Sequence, residues 1–171
     1  MIPEFSRVFR LDELGTAPRP VAIDADDKER AALASRFGLL SIERLSATAE
    51  LTRDGDVVIA TGNLAAEVVQ ACVASGDPVP ASLAEDFTLR FVPPSGAPDA
   101  EEIELEEGDL DEIDYEGGAI DLGEAAAQTL ALALDPFPRA PGAEERLRAA
   151  GVIGEEEAGP FAALKALKDK L

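Results

Sequence analysis

The side chains able to do chemistry in this chain are carboxylates: 35 Asp and Glu stand against 15 Lys and Arg, with one cysteine and no histidine. Asp109, Asp111 and Asp114 come nearest to a hard-cation pattern. They miss the EF-hand spacing, because Ile113 takes the fifth position and Asp114 stands where that loop requires glycine. With one cysteine and no histidine a Cys/His zinc site is excluded, and no metal is expected. A hydrolase built on paired carboxylates needs a deep cleft holding two close acids in different environments. Nucleophilic catalysis of the usual kind needs a base beside the nucleophile, and a Ser-His or Cys-His arrangement cannot form without histidine. Cys72 lies on the apolar side of a strand pattern and reads as a core residue. Gly117-Gly118 fits neither a P-loop nor a dinucleotide fingerprint. These residues point away from an enzyme, and no cofactor is expected.

Charge is the stronger signal. Residues 91–138 hold 14 acidic side chains and no Lys or Arg, whereas residues 1–90 are net −6 and residues 139–171 are neutral. One segment therefore carries most of the −20 of a 17.9 kDa chain and sets up a field of one sign. Such a face attracts basic proteins and repels phosphates, so direct nucleic-acid binding is disfavoured. The candidate binding residues are Glu101, Glu102, Glu104, Glu106, Glu107, Asp109, Asp111 and Glu112. Their rival role is solubility alone. A local arginine patch of Arg7, Arg10, Arg44, Arg53 and Arg90 is the alternative surface, and it would contact RNA. The single cysteine suits a reducing cytoplasm. The start, Met-Ile-Pro-Glu-Phe-Ser-Arg, has no apolar signal core, and no apolar run is long enough to span a bilayer, so neither is expected.

The elements that position these residues follow from periodicity. Phe5, Phe9 and Leu11 predict a strand over 5–11, near an edge because Arg7 interrupts the apolar side. Thr16 to Pro20 reads as a link. A helix is expected from Ala25 to about Phe37, capped by Asp24 and stopped by Gly38. Leu45, Ala47, Ala49 and Leu51 alternate with polar residues, Asp54-Gly55 signals a type I′ hairpin, and a long return strand starts at Val57 with a bend at Gly62. Ser75 to Pro80 reads as a loop, and Phe87, Leu89 and Phe91 mark a strand. Ile103 and Leu105 alternate with glutamates as a short strand with an acidic outer face. Tyr115 anchors a strand over 111–116, followed by the Gly117-Gly118 turn. A largely apolar helix over 122–134 starts at Asp121, with Glu124 completing a capping box. Two short amphipathic segments, Ala143 to Ala150 and Phe161 to Leu171, form the tail.

The central segment also resembles the signature of the YceD family, large ribosomal RNA subunit accumulation proteins. The likeness rests on Asp-Glu-Ile-Asp-Tyr-Glu-Gly-Gly-Ala-Ile-Asp-Leu-Gly-Glu (111–124) and on Leu-Ala-Leu-Asp-Pro-Phe-Pro (132–138). The Gln70-Ala-Cys72 end of the long strand and the closing Pro-Phe-Ala-Ala-Leu-Lys-Ala-Leu-Lys (160–168) agree in the same order. The resemblance implies a bacterial cytoplasmic protein needed for 23S ribosomal RNA accumulation, hence large-subunit biogenesis, with no catalytic residues to carry over. Many members carry Cys pairs after the Leu-Ala-Leu-x-Pro segment; residues 139–158 here have none.

The expected fold is α+β: an antiparallel, strongly bent sheet or partial β-barrel packed with two main helices. Residues 1–138 form the core domain, including the acidic segment 99–116. Residues 139–171 form a helical C-terminal tail docked on it. The expected function is a non-enzymatic ribosome-biogenesis factor whose acidic face binds a basic ribosomal protein or pre-50S particle. The runner-up is direct ribosomal RNA binding through the arginine patch.

Overall fold

A computed structural model describes residues 2–94 and 111–152. The described residues form an α+β fold with a five-stranded mixed sheet, a two-stranded sheet and three α-helices. Among the described residues the large sheet does not close into a barrel. Its order is β2 (Arg19–Asp24), β3 (Ser41–Asp54), β4 (Val57–Ala71), β5 (Pro78–Val92) and β6 (Asp111–Asp114). The small sheet pairs β1 (Val8–Arg10) with β7 (Ala119–Asp121), antiparallel, with Phe9 opposite Ile120. The helices are α1 (Asp27–Phe37), α2 (Leu122–Ala133) and α3 (Ala143–Ala149).

The alternating apolar positions face one core. Leu45, Ala47, Ala49 and Leu51 of β3, Val58, Ala60, Leu64, Ala66 and Val68 of β4, and Phe87, Leu89 and Phe91 of β5 are all buried. They meet Leu33 of α1 and Leu122, Ala126 and Leu130 of α2. Six residues of α2 are buried against two of α1, as its near absence of charge dictates.

Several boundaries differ from the sequence expectation, each for a physical reason. The sheet is mixed rather than antiparallel, because β6 pairs with β5 in parallel, Leu89 opposite Asp111 and Val92 opposite Asp114. Residues 93–110, with most of the acidic run, connect these two strands, and a parallel pair needs a connection of such length. The strand over Ile103 and Leu105 lies outside the described residues. The 16–20 link ends in an edge strand: β2 begins at Arg19 and tolerates Pro20, because nothing among the described residues pairs with its outer side. Asp24 therefore belongs to β2, and Asp26 caps α1 through the amides of Lys28 and Glu29, completed by Glu29 as a capping box. β5 starts at Pro78 and passes through Pro80, where β6 offers no partner and no amide is missed. The first strand is shorter than expected, Val8–Arg10, and passes into a 3-10 turn at Leu11–Glu13.

The β3–β4 hairpin closes with Asp54 opposite Val57, so the central residues are Gly55 and Asp56. Gly55 has φ 61°, and no non-glycine residue among the described residues has positive φ. A type I′ turn needs positive φ at both positions, so the turn has the glycine-first form instead. Gly62 has a sharper role than a bend. It lies opposite Ala49, and a Cβ there would sit 1.9 Å from the carbonyl oxygen of Thr48.

The chain divides into two compact units. Among the described residues, one comprises 2–70, 80–94 and 111–135; the other comprises 71–79 and 136–152. Within the second, Val73 donates its amide to Pro138 at 2.9 Å, Ala140 donates to Cys72 Sγ at 3.3 Å, and Arg146 pairs with Asp77. The expected tail segment Ala143 to Ala150 is present as α3, ending at Gly151 with φ 83°. Phe161 to Leu171 lies outside the described residues.

The Gly62 contact yields a stability prediction. Gly62→Ala should destabilise the fold by about 2–4 kcal/mol, since rigid backbone must move. Gly15→Ala, at a position with nothing within 4 Å of the added Cβ, should change stability by less than about 1 kcal/mol. Urea unfolding of both variants checks the contrast.

Candidate functional site

The segment from Asp111 to Glu124 builds the most distinctive site. Four residues, Tyr115 to Gly118, lead from β6 to β7, and those strands belong to different sheets. Between them opens a cleft of about 340 Å³. Val8, Ile113, Ala119, Ile120 and Ala125 form its apolar lining, and Asp114, Glu116, Asp121, Glu124 and Gln128 its polar rim. Gly117 and Gly118 both have φ 69°, a left-handed pair that side-chain-bearing residues rarely supply. Tyr115 is half-buried against the core and donates its hydroxyl to the Asp56 carbonyl at 2.7 Å, which pins the β3–β4 turn.

Two of the rim carboxylates are committed to the fold. Asp121 accepts from the amides of Gly123 and Glu124 and so caps α2. It also accepts from the Arg7 amide at 2.8 Å and the Ser6 hydroxyl at 2.5 Å, which ties the chain before β1 to the helix. Gly123 permits this approach: a Cβ there would stand 2.7 Å from the Phe5 carbonyl oxygen. Glu124 does not complete the expected capping box. Its carboxylate takes a two-pronged ion pair from Arg36 of α1 at 3.0 and 2.9 Å, and Arg36 also reaches Glu4. The pairing spans 88 residues in sequence. A capping box satisfies one amide, whereas a guanidinium matches both oxygens of a carboxylate.

Asp114 and Glu116 are different. Both are exposed, and neither carries a hydrogen bond or ion pair to a described residue. Of the acidic residues expected to bind, Asp111 and Glu112 are the exposed start of β6, and Glu112 pairs with Arg90 across the β5–β6 ladder at 2.7 Å. Glu101, Glu102, Glu104, Glu106, Glu107 and Asp109 lie outside the described residues. The Asp109, Asp111 and Asp114 set is therefore described only in part, and no group of three metal-ligating side chains occurs among the described residues.

Each of the five arginines of the alternative patch has its own surroundings, and two of them, Arg10 and Arg53, meet around Leu11 and Asp12. Arg7 forms a two-pronged pair with Glu29 at 2.7 and 2.9 Å and lies over the Phe5 ring. Arg10 pairs in the same manner with Asp12. Arg53 donates to the carbonyls of Leu11 and Gly55. Arg90 holds Glu112. Arg44 is exposed on the outer face of β3 without an ion pair to a described residue.

Cys72 is buried, as its place on the apolar side predicts. Hydrogen bonds from the Ala140 amide and then Ser75 draw its thiol down to about 7. The residues that sequence reading missed are long-range partners: Glu4 with Arg36, Ser6 with Asp121, and Gln70, whose buried amide donates to the Asp135 carbonyl at 2.8 Å. No local pattern announces them. No helix among the described residues is long and apolar enough to cross a membrane.

A family model described as "Large ribosomal RNA subunit accumulation protein YceD" matches residues 60–168. No curated protein matches, and no solved structure matches.

Two predictions arise from this site. Asp121→Ala removes the α2 cap together with both bonds to residues 6 and 7, and should cost about 2–3 kcal/mol in denaturant unfolding. The second concerns acid. Arg7 holds the Glu29 carboxyl below its ordinary value of 4.5. The pair's stabilisation is therefore complete above 4.5 and fades as pH falls through the lowered folded value. Arg7→Ala should lower the melting temperature at pH 7 and flatten its further fall below pH 4.5.

Proposed function

The chain belongs to the YceD family, and on that premise we propose that it is a non-enzymatic assembly factor of the large ribosomal subunit that binds a basic ribosomal protein through its acidic segment. The family description supplies the pathway, accumulation of the large-subunit ribosomal RNA. The mechanism rests on one observation: residues 91–138 hold 14 carboxylates and no Lys or Arg. Ribosomal proteins carry the Lys and Arg that neutralise RNA phosphates. A single-sign acidic surface steers such proteins to itself and covers those charges before the RNA takes them over. Glu101, Glu102, Glu104, Glu106, Glu107, Asp109, Asp111 and Glu112 form the binding set, and exposed Asp114 and Glu116 extend it. The protein then acts in the cytoplasm by holding and delivering a component of the pre-50S particle, with no bond made or broken.

Direct RNA binding through the arginine set has less support. Arg7, Arg10 and Arg90 are paired with carboxylates and Arg53 with backbone carbonyls, so a phosphate must displace an existing partner at four of the five.

The test is affinity purification after RNase treatment, with the wild-type chain and a variant in which Glu102, Glu104, Glu106 and Glu107 become Lys. The wild type should retain basic ribosomal proteins, and the variant should lose at least about tenfold of that signal. Cells relying on the variant should accumulate less 23S RNA. Unchanged capture and unchanged 23S levels would sink the proposal.

A further inference from the structure

The binding reading leaves open how a basic partner is held, and the cleft beside β6 bears on that. β6 is the last strand of its sheet, with β5 on one side and no described residue paired on the other. The Tyr115 amide donates to the Val92 carbonyl at 2.9 Å. In a parallel ladder successive residues point their amide and carbonyl to alternate sides. Ile113 therefore faces β5, and Glu112 and Asp114 turn their backbone groups to the open edge. An open edge is a template for one more strand, and acidic side chains along it oppose pairing with a second copy of the same chain.

Side chains alternate across the edge as well. Ile113 and Tyr115 pack toward the core, and Glu112, Asp114 and Glu116 are exposed. Glu112 is neutralised by Arg90, so Asp114 and Glu116 are the charges left for a partner. On the core side the cleft offers Val8, Ile113 and Ala119, apolar and at least partly exposed, to any side chain entering from an added strand. The two faces call for opposite chemistry: cations on one, compact apolar groups on the other.

We propose, building on the acidic-segment reading above, that an extended segment of a protein partner, alternating Lys or Arg with small apolar residues, adds as a sixth strand along the edge of β6 that no described residue pairs. Its backbone bonds to the amides and carbonyls of Glu112 and Asp114. Its cations lie against Asp114 and Glu116, and its apolar side chains enter the cleft between β6, β7 and α2. Backbone pairing supplies the register, and the carboxylates select a basic sequence over an acidic one.

The experiment uses the full-length chain and a short peptide of alternating Lys and Val, with amide exchange read by NMR. The peptide should slow exchange at Glu112 and Asp114 at least about tenfold and leave Ile113, already bonded to β5, unchanged. The same peptide N-methylated on the amides that face β6 keeps its charge and should bind about tenfold more weakly. Asp114→Pro, which removes one outward amide, should weaken the parent peptide similarly. Equal binding of the N-methylated peptide, or binding without protection at Glu112 and Asp114, overturns strand addition. So does sedimentation as a dimer whose partner copy protects those amides. If either result comes while the chain still captures basic ribosomal proteins, strand addition alone fails. If the chain captures none of those proteins, the acidic-segment reading fails with it.

Discussion

The carboxylate of Asp121 is the constraint on which this fold turns. Four hydrogen bonds converge on it: two amides at the start of α2, one amide before β1 and the Ser6 hydroxyl. Its own strand, β7, pairs with β1, so the same residue fixes where the small sheet ends and the most buried helix begins. The network continues outward. Arg7, whose amide bonds Asp121, sends its guanidinium to Glu29, and Glu29 completes the cap of α1 with Asp26. Arg36, in the last turn of α1, returns to Glu124 of α2. Both helices are thus positioned by partly buried ion pairs to carboxylates that also sit near helix N-termini, where the dipole favours them.

This accounts for the shape of the sequence signature. Its second half, Ile120 to Glu124, is committed to structure. Ile120 and Leu122 are buried, Asp121 caps, Gly123 admits the Phe5 carbonyl, and Glu124 holds Arg36. In its first half, Ile113 and Tyr115 pack on the core while Asp111, Glu112, Asp114 and Glu116 remain exposed. Isolated surface carboxylates contribute little to stability. These exposed carboxylates stand apart from the network that holds the fold, and under the function proposed above they serve to attract a basic partner.

Much of the fold was legible from local pattern. Period-two alternation located Leu45 to Leu51 and Val58 to Val68 on one face, and Gly38 and Asp121 marked helix ends. Prolines misled. Pro20 and Pro80 read as breakers, yet each lies where a strand has no partner on one side, a fact of sheet order that no window contains. Asp24 and Asp26 are chemically equal caps, and pairing of Asp24 with Ser46 decides between them. The parallel placement of β6 was invisible for the same reason. For the candidate site, the acidity of 111–116 was plain, but the cleft was not, because it arises from β6 and β7 joining different sheets. The arginines looked available because their partners, Glu29 for Arg7 and Glu112 for Arg90, are 22 residues away.

The most direct measurement is zero-length carboxyl-to-amine cross-linking of the full-length chain to its captured partners, read by mass spectrometry. The account predicts that carboxylates of residues 99–116 join to lysines of basic ribosomal proteins, with links that vanish as salt screens the contact. Cross-links confined to carboxylates elsewhere, with photo-cross-links from RNA to the surface around Arg44, would contradict it.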